Sequence, residues 1–203
     1  MFTEQQSFDK FFKPTLELET ARVLLRKLET ADTAAMLQLV QDAKVWQYFT
    51  KDLSAPGELE AWVAQALQAF EQKARMPFAI IDKDTKKVVG STSLGSISFF
   101  DKRIEIGWSW LAKEAMGDGV NMNAKFLLLS YAFEALNFER VEIKTDNLNE
   151  RAKAALIKIG AYEEGILRSH MQMPYNRRRD SVYYSILKSE WPAIKELKFN
   201  RIM

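Results

Sequence analysis

Two glycines separated by one residue, Gly117-Asp118-Gly119, lie between a predicted strand and a predicted helix that starts near Val120. Glycines let the backbone turn tightly with its N–H groups pointing outward, and a helix N-terminus adds partial positive charge. Such a loop binds anions and is suited to a pyrophosphate. A tight turn capped by Asp118 would account for the same residues. The pattern is neither GxGxxG nor a P-loop, because no third glycine and no GK[ST] sequence follows.

A carboxylate and a glycine share the strand that precedes this loop, at Glu105 and Gly107. Glycine inside a strand indicates a bulge or the close approach of a ligand to the backbone. A bulge would leave N–H groups unpaired by the ladder and available to a carbonyl oxygen. Glu105 alternates with apolar Ile104 and Ile106, so its side chain faces the other side of the sheet. A solvated carboxylate on a half-exposed strand is the alternative interpretation.

Few other residues could do chemistry. His170 is the one histidine and the chain has no cysteine, so we predict no metal site built on thiolates or histidine clusters. His170 is a candidate acid–base or acceptor-site residue, or a packed strand residue. The basic run Arg177–Arg179 is either a solvated hairpin turn or a contact with an acidic acceptor or a ribosome surface.

Composition excludes several classes of protein. The chain has 203 residues, 47% of them hydrophobic, and a net charge of +2 from 29 basic and 27 acidic residues. These values indicate one globular domain rather than a disordered chain, and the near-balanced charge argues against a nucleic-acid binder. The N-terminus carries Glu4 and Asp9 and has no apolar segment typical of a signal peptide. We therefore expect a soluble, cytoplasmic protein with neither DNA nor a membrane as partner.

The predicted strands and helices alternate along the chain, and this alternation indicates an α/β fold. The predicted order is β-α-α-β-β-β-α-β-α-β-β, with an antiparallel meander in the middle. The predicted elements are strand Arg22–Leu28, helix Asp32 to about Tyr48, helix Leu59–Phe70, strands Pro77–Asp82, Val88–Phe100 and Arg103–Leu111, a buried helix from Val120 to Leu136, strand Arg140–Thr145, helix Asn149–Ile159, strands Ala161–Met173 and Ser181–Leu187, and a tail from Glu190.

Four stretches, in this order and spacing, resemble the GNAT superfamily of acetyl-CoA-dependent N-acetyltransferases, in particular its RimJ/RimL-like branch. They are Leu16–Leu28 (LELETARVLLRKL), Ile104–Leu111 (IEIGWSWL), Glu114–Asn149, and Asn149–Gly160 together with Arg168–Ile186. The resemblance spans Thr15–Trp191. We therefore predict an N-terminal extension over residues 1–14 and a single domain over residues 15–203. The implied fold is an α/β (α+β) mixed sheet, mostly antiparallel, with splayed fourth and fifth strands flanked by helices.

The resemblance also implies a co-substrate, acetyl-CoA, and no metal. Its pantetheine arm would lie in the wedge between the splayed strands. The implied cofactor-binding residues are Trp110 and Leu111 along the pantetheine, Gly117, Asp118, Gly119 and Val120 around the pyrophosphate, and Asn149, which could equally cap a helix. The chemistry of amine attack on a thioester gives the candidate catalytic residues. They are Glu105 as a base acting through water, Gly107 and Trp108 as backbone donors to an oxyanion, and His170, Tyr175, Tyr183 or Tyr184 as the acid, unless the thiolate leaves unaided.

The implied activity is transfer of an acetyl group to a primary amine, on a protein N-terminus or a small molecule, by direct attack in a ternary complex. An alternative is a catalytically weakened acyl-CoA-binding or protein-interaction module. Glu114, Asp118 and Ala152 motivate it, since they stand where the family often has other residues. The sequence does not identify the acceptor. A homodimer is also considered, because the aromatic N-terminal segment could cover either the core or a second subunit; its aromatic residues are Phe2, Phe8, Phe11 and Phe12.

Overall fold

Alternating apolar and polar residues build eight strands, which form one mixed sheet in the order β1-β2-β3-β4-β5-β6-β8-β7. The computed structural model describes residues 11–202. Its strands are β1 (Glu17–Glu19), β2 (Val23–Lys27), β3 (Arg75–Asp82), β4 (Lys87–Ser98), β5 (Arg103–Leu111), β6 (Arg140–Asp146), β7 (Tyr162–Gln172) and β8 (Arg178–Leu187). Its α-helices are α1 (Asp32–Leu37), α2 (Glu58–Glu71), α3 (Val120–Ser130), α4 (Glu150–Lys158) and α5 (Trp191–Phe199).

The sheet is antiparallel except between β5 and β6, where the pairing is parallel and short. It covers Arg103↔Arg140, Ile104↔Val141 and Glu105↔Glu142. Beyond Glu105, β5 continues its ladder with β4, and β6 continues its ladder with β8. The two strands therefore part after three residue pairs. This confirms the expected mixed, mostly antiparallel sheet with two splayed strands.

Two apolar clusters cover opposite faces of the sheet. On one face Ile104 and Ile106 of β5 pack in the same cluster as Leu128 of α3. On the other face Trp110 of β5 and Trp62 of α2 belong to a second cluster. Because side chains alternate along a strand, Glu105 and Gly107 lie on the α2 face.

The predicted helix from Asp32 to Tyr48 is wrong. Helix α1 ends at Leu37, and a separate 3₁₀ helix covers Ala43–Tyr48. The buried indole N–H of Trp46 donates to the Val40 carbonyl at 2.8 Å. This bond lies between the two helices, where the predicted continuous helix would have run. Asp32 is buried and accepts hydrogen bonds from Arg26 and from the Glu29 N–H instead of capping the helix.

Other element boundaries differ less. The predicted first strand is preceded by the short strand β1, which pairs with β2 as a hairpin. The predicted buried helix continues past α3 as one π-helical turn, Tyr131–Ala135. The three-stranded meander β3-β4-β5 is confirmed.

The start of the described chain is part of the core. Phe11 is completely buried and Phe12 is 8% exposed. Phe11 lies edge-on to Phe12, with ring centroids 4.6 Å apart, and also contacts Tyr131. Both rings therefore cover the core of their own chain, whereas Phe2 and Phe8 lie outside the described residues.

Strand β7 is exposed along most of its length and is held by polar contacts. Arg140 donates to both carboxylate oxygens of Glu164, at 2.5 and 2.7 Å, and Ser185 donates to the same carboxylate. These hydrogen bonds lower the pKa of Glu164 to about 2, and the bond from Arg140 has the largest effect. The stabilisation is therefore present above the unfolded pKa of about 4.3 and is lost as the pH falls toward the folded value.

We expect Glu164→Gln to lower the free energy of unfolding at pH 7. At pH 2.5 the decrease should be smaller, because most of the stabilisation by the ionised Glu164 carboxylate is already lost in the wild type. Urea unfolding at the two pH values measures the difference. Glu60→Gln, on an exposed position of α2, is the control. An equal effect of Glu164→Gln at both pH values would contradict the assignment.

Candidate active site

A cavity of about 540 Å³ occupies the gap where β5 and β6 part. This volume is typical of a small-molecule site. Eight of the predicted site residues line it: Glu105, Gly107, Trp108, Trp110, Leu111, Gly117, Gly119 and Asn149. Three other predicted site residues, Asp118, Val120 and His170, are not among the residues that line it.

Glu105 is 6% exposed, so it is not a solvated carboxylate on a half-exposed strand. The Lys144 ammonium donates to both of its carboxylate oxygens, at 2.6 and 2.5 Å, and the Ser96 hydroxyl donates at 3.1 Å. A Cβ atom at Gly107 would lie 2.9 Å from Glu105 Oε1. The glycine therefore makes room for the carboxylate to lie along the strand at the cavity wall.

The expected bulge in β5 lies directly after Gly107. Gly107 pairs with Ser93 and Trp110 pairs with Ser91, so Trp108 and Ser109 together oppose Thr92 alone. Trp108 has a φ of 52°, in the left-handed region, which marks the extra residue of the bulge. The distortion takes backbone N–H groups out of the β4 ladder at the cavity wall.

The glycine loop has the conformation that its sequence requires. Gly117 and Gly119 have φ values of 89° and 97°, where residues with a Cβ are strained, and Gly119 directly precedes α3. The Asp118 carboxylate points toward Arg22, at 3.1 Å, and also accepts the Val120 N–H at 3.2 Å. Arg22 thus compensates the acidic charge in the loop, while one of the four predicted pyrophosphate donors is engaged within the chain.

Asn149 caps α4 and lines the cavity at once. Its side-chain oxygen accepts the Ala152 N–H at 3.0 Å. Both interpretations of this residue are therefore compatible. Ala152 also lines the cavity and offers no hydroxyl group there.

His170 lies on β7, outside the cavity lining. Its Nδ1 is 3.0 Å from the Ser181 hydroxyl, and its ring packs edge-on against Tyr183. Burial first, then the charges of Lys144 and Arg179, lower the pKa of His170. Its catalytic role stays a prediction without a contact to the cavity.

The three tyrosines named as acid candidates are also outside the lining. Tyr175 donates to Asp52, and Tyr184 donates to Glu163. Tyr183 packs against His170, and burial raises its pKa. Of the tyrosines among residues 11–202, Tyr48 is the one that lines the cavity.

Five cationic residues line the cavity: Lys125, Lys144, Arg151, Lys158 and Arg179. Of these, only Arg179, in the basic run, was a candidate from the sequence. Arg179 is 6% exposed and its Nε has no hydrogen-bond partner within the described chain, so the basic run is not simply a solvated turn. Lys125 is also 6% exposed and donates to the Ser109 hydroxyl at 3.2 Å. One signal could have identified Lys125, a lone charge inside the apolar run of α3.

The residues present fit acetyl-CoA. Trp110 lines the cavity, and its buried indole N–H has no hydrogen-bond partner among residues 11–202. An unpaired buried donor is costly, which favours an acceptor group supplied by a ligand that reaches the α2 face of the cavity. The edge of β5 that faces β6 is unpaired by that strand beyond Glu105, and could bind an amide-containing arm as a strand would.

A family model described as an acetyltransferase (GNAT) domain matches residues 22–162. The chain belongs to this family. As a GNAT member it is an acyltransferase, and the family implies acetyl transfer from acetyl-CoA.

Named relatives agree with this assignment. The uncharacterized N-acetyltransferase YoaA of Bacillus subtilis (strain 168) is 27% identical over 175 residues, which is 84% of this chain and 96% of YoaA. The B. subtilis protein named "Putative ribosomal N-acetyltransferase YdaF" is 39% identical over 106 residues, 52% of this chain and 57% of YdaF. The crystal structure of a GCN5-related N-acetyltransferase from Brucella melitensis superposes with a TM-score of 0.85 at 26% identity, covering 94% of this chain and 87% of that one.

The described residues contain neither a metal-binding cluster nor a membrane-spanning helix. Within residues 11–202 no group of three or more His, Asp or Glu side chains is arranged to hold a metal ion. No helix in that part of the chain is long and apolar enough to cross a membrane.

The glycine loop gives a testable prediction. In Gly119→Ala the added Cβ has space, with Asn123 Nδ2 nearest at 3.9 Å, so the cost is backbone strain of about 1–2 kcal/mol. We expect the free energy of unfolding to fall by about this amount, and the dissociation constant for acetyl-CoA to rise by up to about tenfold as the loop N–H groups turn away.

Gly57→Ala is the matched control for this prediction, since Gly57 also has a positive φ of 79°, has open space, and precedes α2 away from the cavity. Calorimetric titration with acetyl-CoA and urea unfolding measure both quantities. Equal loss of affinity in the two variants would contradict a role for the loop.

Proposed function

We propose that this GNAT enzyme transfers the acetyl group of acetyl-CoA to a primary amine, on a protein N-terminus or a small molecule, by direct attack while both substrates are bound. One observation carries the proposal: a single cavity reaches both faces of the split sheet. Tyr48 and Phe49 line it on the α2 face, whereas Ala124 of α3 and Leu156 of α4 line it on the other face. Two substrates can therefore meet from opposite faces.

The α3 face is suited to acetyl-CoA. The amides of the Gly117–Val120 loop at the N-terminus of α3 would hold its pyrophosphate, and the strand edge from Trp108 to Leu111 would hold the pantetheine. Asn149 is positioned to bind the same arm while capping α4. Bound there, acetyl-CoA supplies an activated acyl group as a thioester.

The α2 face is suited to the amine. An alkyl amine has a pKa near 10 and an α-amine one near 8, so at neutral pH either must lose a proton before it attacks. Glu105 is the carboxylate of the cavity wall and would accept that proton through water. The contacts from Lys144 and Ser96 fix the position of its oxygens. Backbone N–H groups at the Trp108 bulge would donate to the oxygen that becomes negative during attack.

The charge of the cavity favours an acceptor with an acidic group near its amine. Lys144 and Arg179 lie beside Glu105 on this wall, and only the former is paired with it. The relative named "Putative ribosomal N-acetyltransferase YdaF" supports a protein as the acceptor.

A second candidate function is an acyl-CoA-binding module with weak turnover. The hydrogen bond from the Val120 N–H to Asp118 favours it, because a pyrophosphate would have to compete for that donor.

One experiment separates the two functions. Acetyl-CoA is titrated into the protein by calorimetry, with desulfo-CoA and dephospho-CoA as controls, and a panel of free amines and peptides with free or blocked N-termini is then offered. Saturable binding with acetylation of free but not blocked amines supports the enzyme. Binding without acetylation supports the module, and absence of binding at millimolar acetyl-CoA contradicts both.

A further inference from the structure

Lys125 is a buried cation without a carboxylate partner. It lies in the middle of α3 among Ala124, Leu127 and Leu128, all buried. Its ammonium forms a hydrogen bond with the Ser109 hydroxyl at 3.2 Å and has no ion pair with any residue in the described part of the chain. Buried lysines are rare unless paired, so this position calls for a partner that the chain itself does not supply.

The position of the ammonium relates it to the reacting centre. Ser109 is one of the two bulge residues of β5, and its hydroxyl also lies 2.7 Å from that of Thr92. Lys125 reaches this point from α3, whereas Glu105 faces the α2 side of the same strand. Two proton-carrying groups therefore flank one bulge from opposite faces of the sheet, and both line the cavity.

We propose that Lys125 is a catalytic residue whose ammonium binds the sulfur of the departing CoA thiolate and gives it a proton. The inference rests on the proposed function. The acceptor nitrogen bonds to the acyl carbon, the carbon–sulfur bond breaks, and its electron pair remains on sulfur. The proton on sulfur then comes from Lys125. The proton that the ammonium loses before attack goes through water to Glu105, and the second proton, which the nitrogen loses as the amide forms, goes to solvent. Exchange with solvent returns both residues to their starting states.

The acidity of the group agrees with this role. Burial lowers the pKa of Lys125 to about 8. A thiol has a pKa of about 8.5, so the proton transfer is close to balanced in free energy. Lys125 is charged in most molecules at pH 7 and gives up its proton far more readily than an exposed lysine.

Other charges face the same cavity and contribute to its potential. They are Glu105 on β5, Lys144 on β6, Arg151 and Lys158 on α4, and Arg179 on β8. Among these, Glu105 is paired with Lys144 and not with Lys125. The rival for the acid role is Tyr48, which lines the cavity from the α2 side.

The test is the ionisation of the thiol of CoA bound to the enzyme, followed by ultraviolet absorbance of the thiolate across a pH series. It needs no acceptor. In the wild-type complex we expect the bound thiol to titrate at least about one pH unit below free CoA, because a cation lies against the sulfur. In Lys125→Met the pKa of the bound thiol should equal that of free CoA or lie above it. Lys87→Met, on an exposed position at the start of β4, removes the same charge and should leave it unchanged.

Activity provides the second measurement. With whichever amine the panel identifies, Lys125→Met should lose about 10²-fold or more in kcat, with the dissociation constant for desulfo-CoA little changed. In Tyr48→Phe the pKa of the bound CoA thiol should stay as low as in the wild type.

Three results decide between these roles. A protein that does not bind CoA refutes the proposed function. A bound thiol that titrates like free CoA in the wild type refutes the role of Lys125, even if Lys125→Met fails to fold. A low titration that persists in Lys125→Met but is lost in Tyr48→Phe assigns the role to Tyr48 instead.

Discussion

Glu105→Gln is expected to lower kcat by about 10²–10⁴-fold while acetyl-CoA binds as tightly as in the wild type. The amide is nearly isosteric with the carboxylate but cannot accept the proton that the ammonium must lose before it attacks. Its neighbours Lys144 and Ser96 can still donate to the remaining oxygen, so the wall of the cavity should keep its shape. Steady-state kinetics with the identified amine and calorimetry with acetyl-CoA measure the two quantities.

The matched control is Glu142→Gln. Glu142 is the direct partner of Glu105 across the parallel ladder, carries the same charge, and pairs with Arg140 away from the cavity. We expect a small effect on kcat from this change. A loss of equal size in both variants, or a Glu105→Gln enzyme with wild-type kcat at every pH, would remove Glu105 from the base role.

The sequence predicted the elements whose signal is local. The strand Arg103–Leu111 has the predicted bounds because Ile104, Glu105 and Ile106 alternate cleanly and a polar turn precedes them. The predicted helix from Asp32 failed because the apolar spacing continues through a break in the helix, where the Trp46 indole N–H donates to the Val40 carbonyl. Periodicity reports which residues face the core, but not where the chain turns between two buried residues.

The residues of the cavity wall also fall into a group that the sequence predicts and a group that it does not. Residues that act through backbone conformation, such as Gly107 and Gly119, are recognisable because glycine inside a strand or directly before a helix indicates a special backbone geometry. Lys144 is not, because a lysine is normally solvated and its burial depends on elements far apart in the chain. Lys125 is marked only as a lone charge inside an apolar run, which does not show what that charge faces. The gap between β5 and β6 is likewise a property of sheet topology, and it was expected only through the resemblance to a family.

Phe11→Ala is expected to lower the free energy of unfolding by about 3–5 kcal/mol, the usual cost of emptying a fully buried phenylalanine site. The ring is 0% exposed and packs against Phe12, Phe99 and Tyr131, on the core side of the sheet rather than on its surface. Phe100→Ala is the control, because that ring is 95% exposed and its removal should cost little. Urea unfolding of the two variants gives the comparison.

This prediction also tests the proposed boundary at residue 14. A segment that only precedes the domain could be shortened without loss of stability, so deletion of residues 1–14 would then leave the unfolding midpoint unchanged. Because Phe11 and Phe12 complete the core beside the turn that continues α3, we expect the deletion to destabilise the protein at least as much as Phe11→Ala. Tyr131 in that turn would be exposed by the deletion, and α3 carries both the glycine loop at its start and Lys125 in its interior. Phe11 and Phe12 would then support the active site through the core that they share with α3, and acetyl-CoA affinity should fall together with stability.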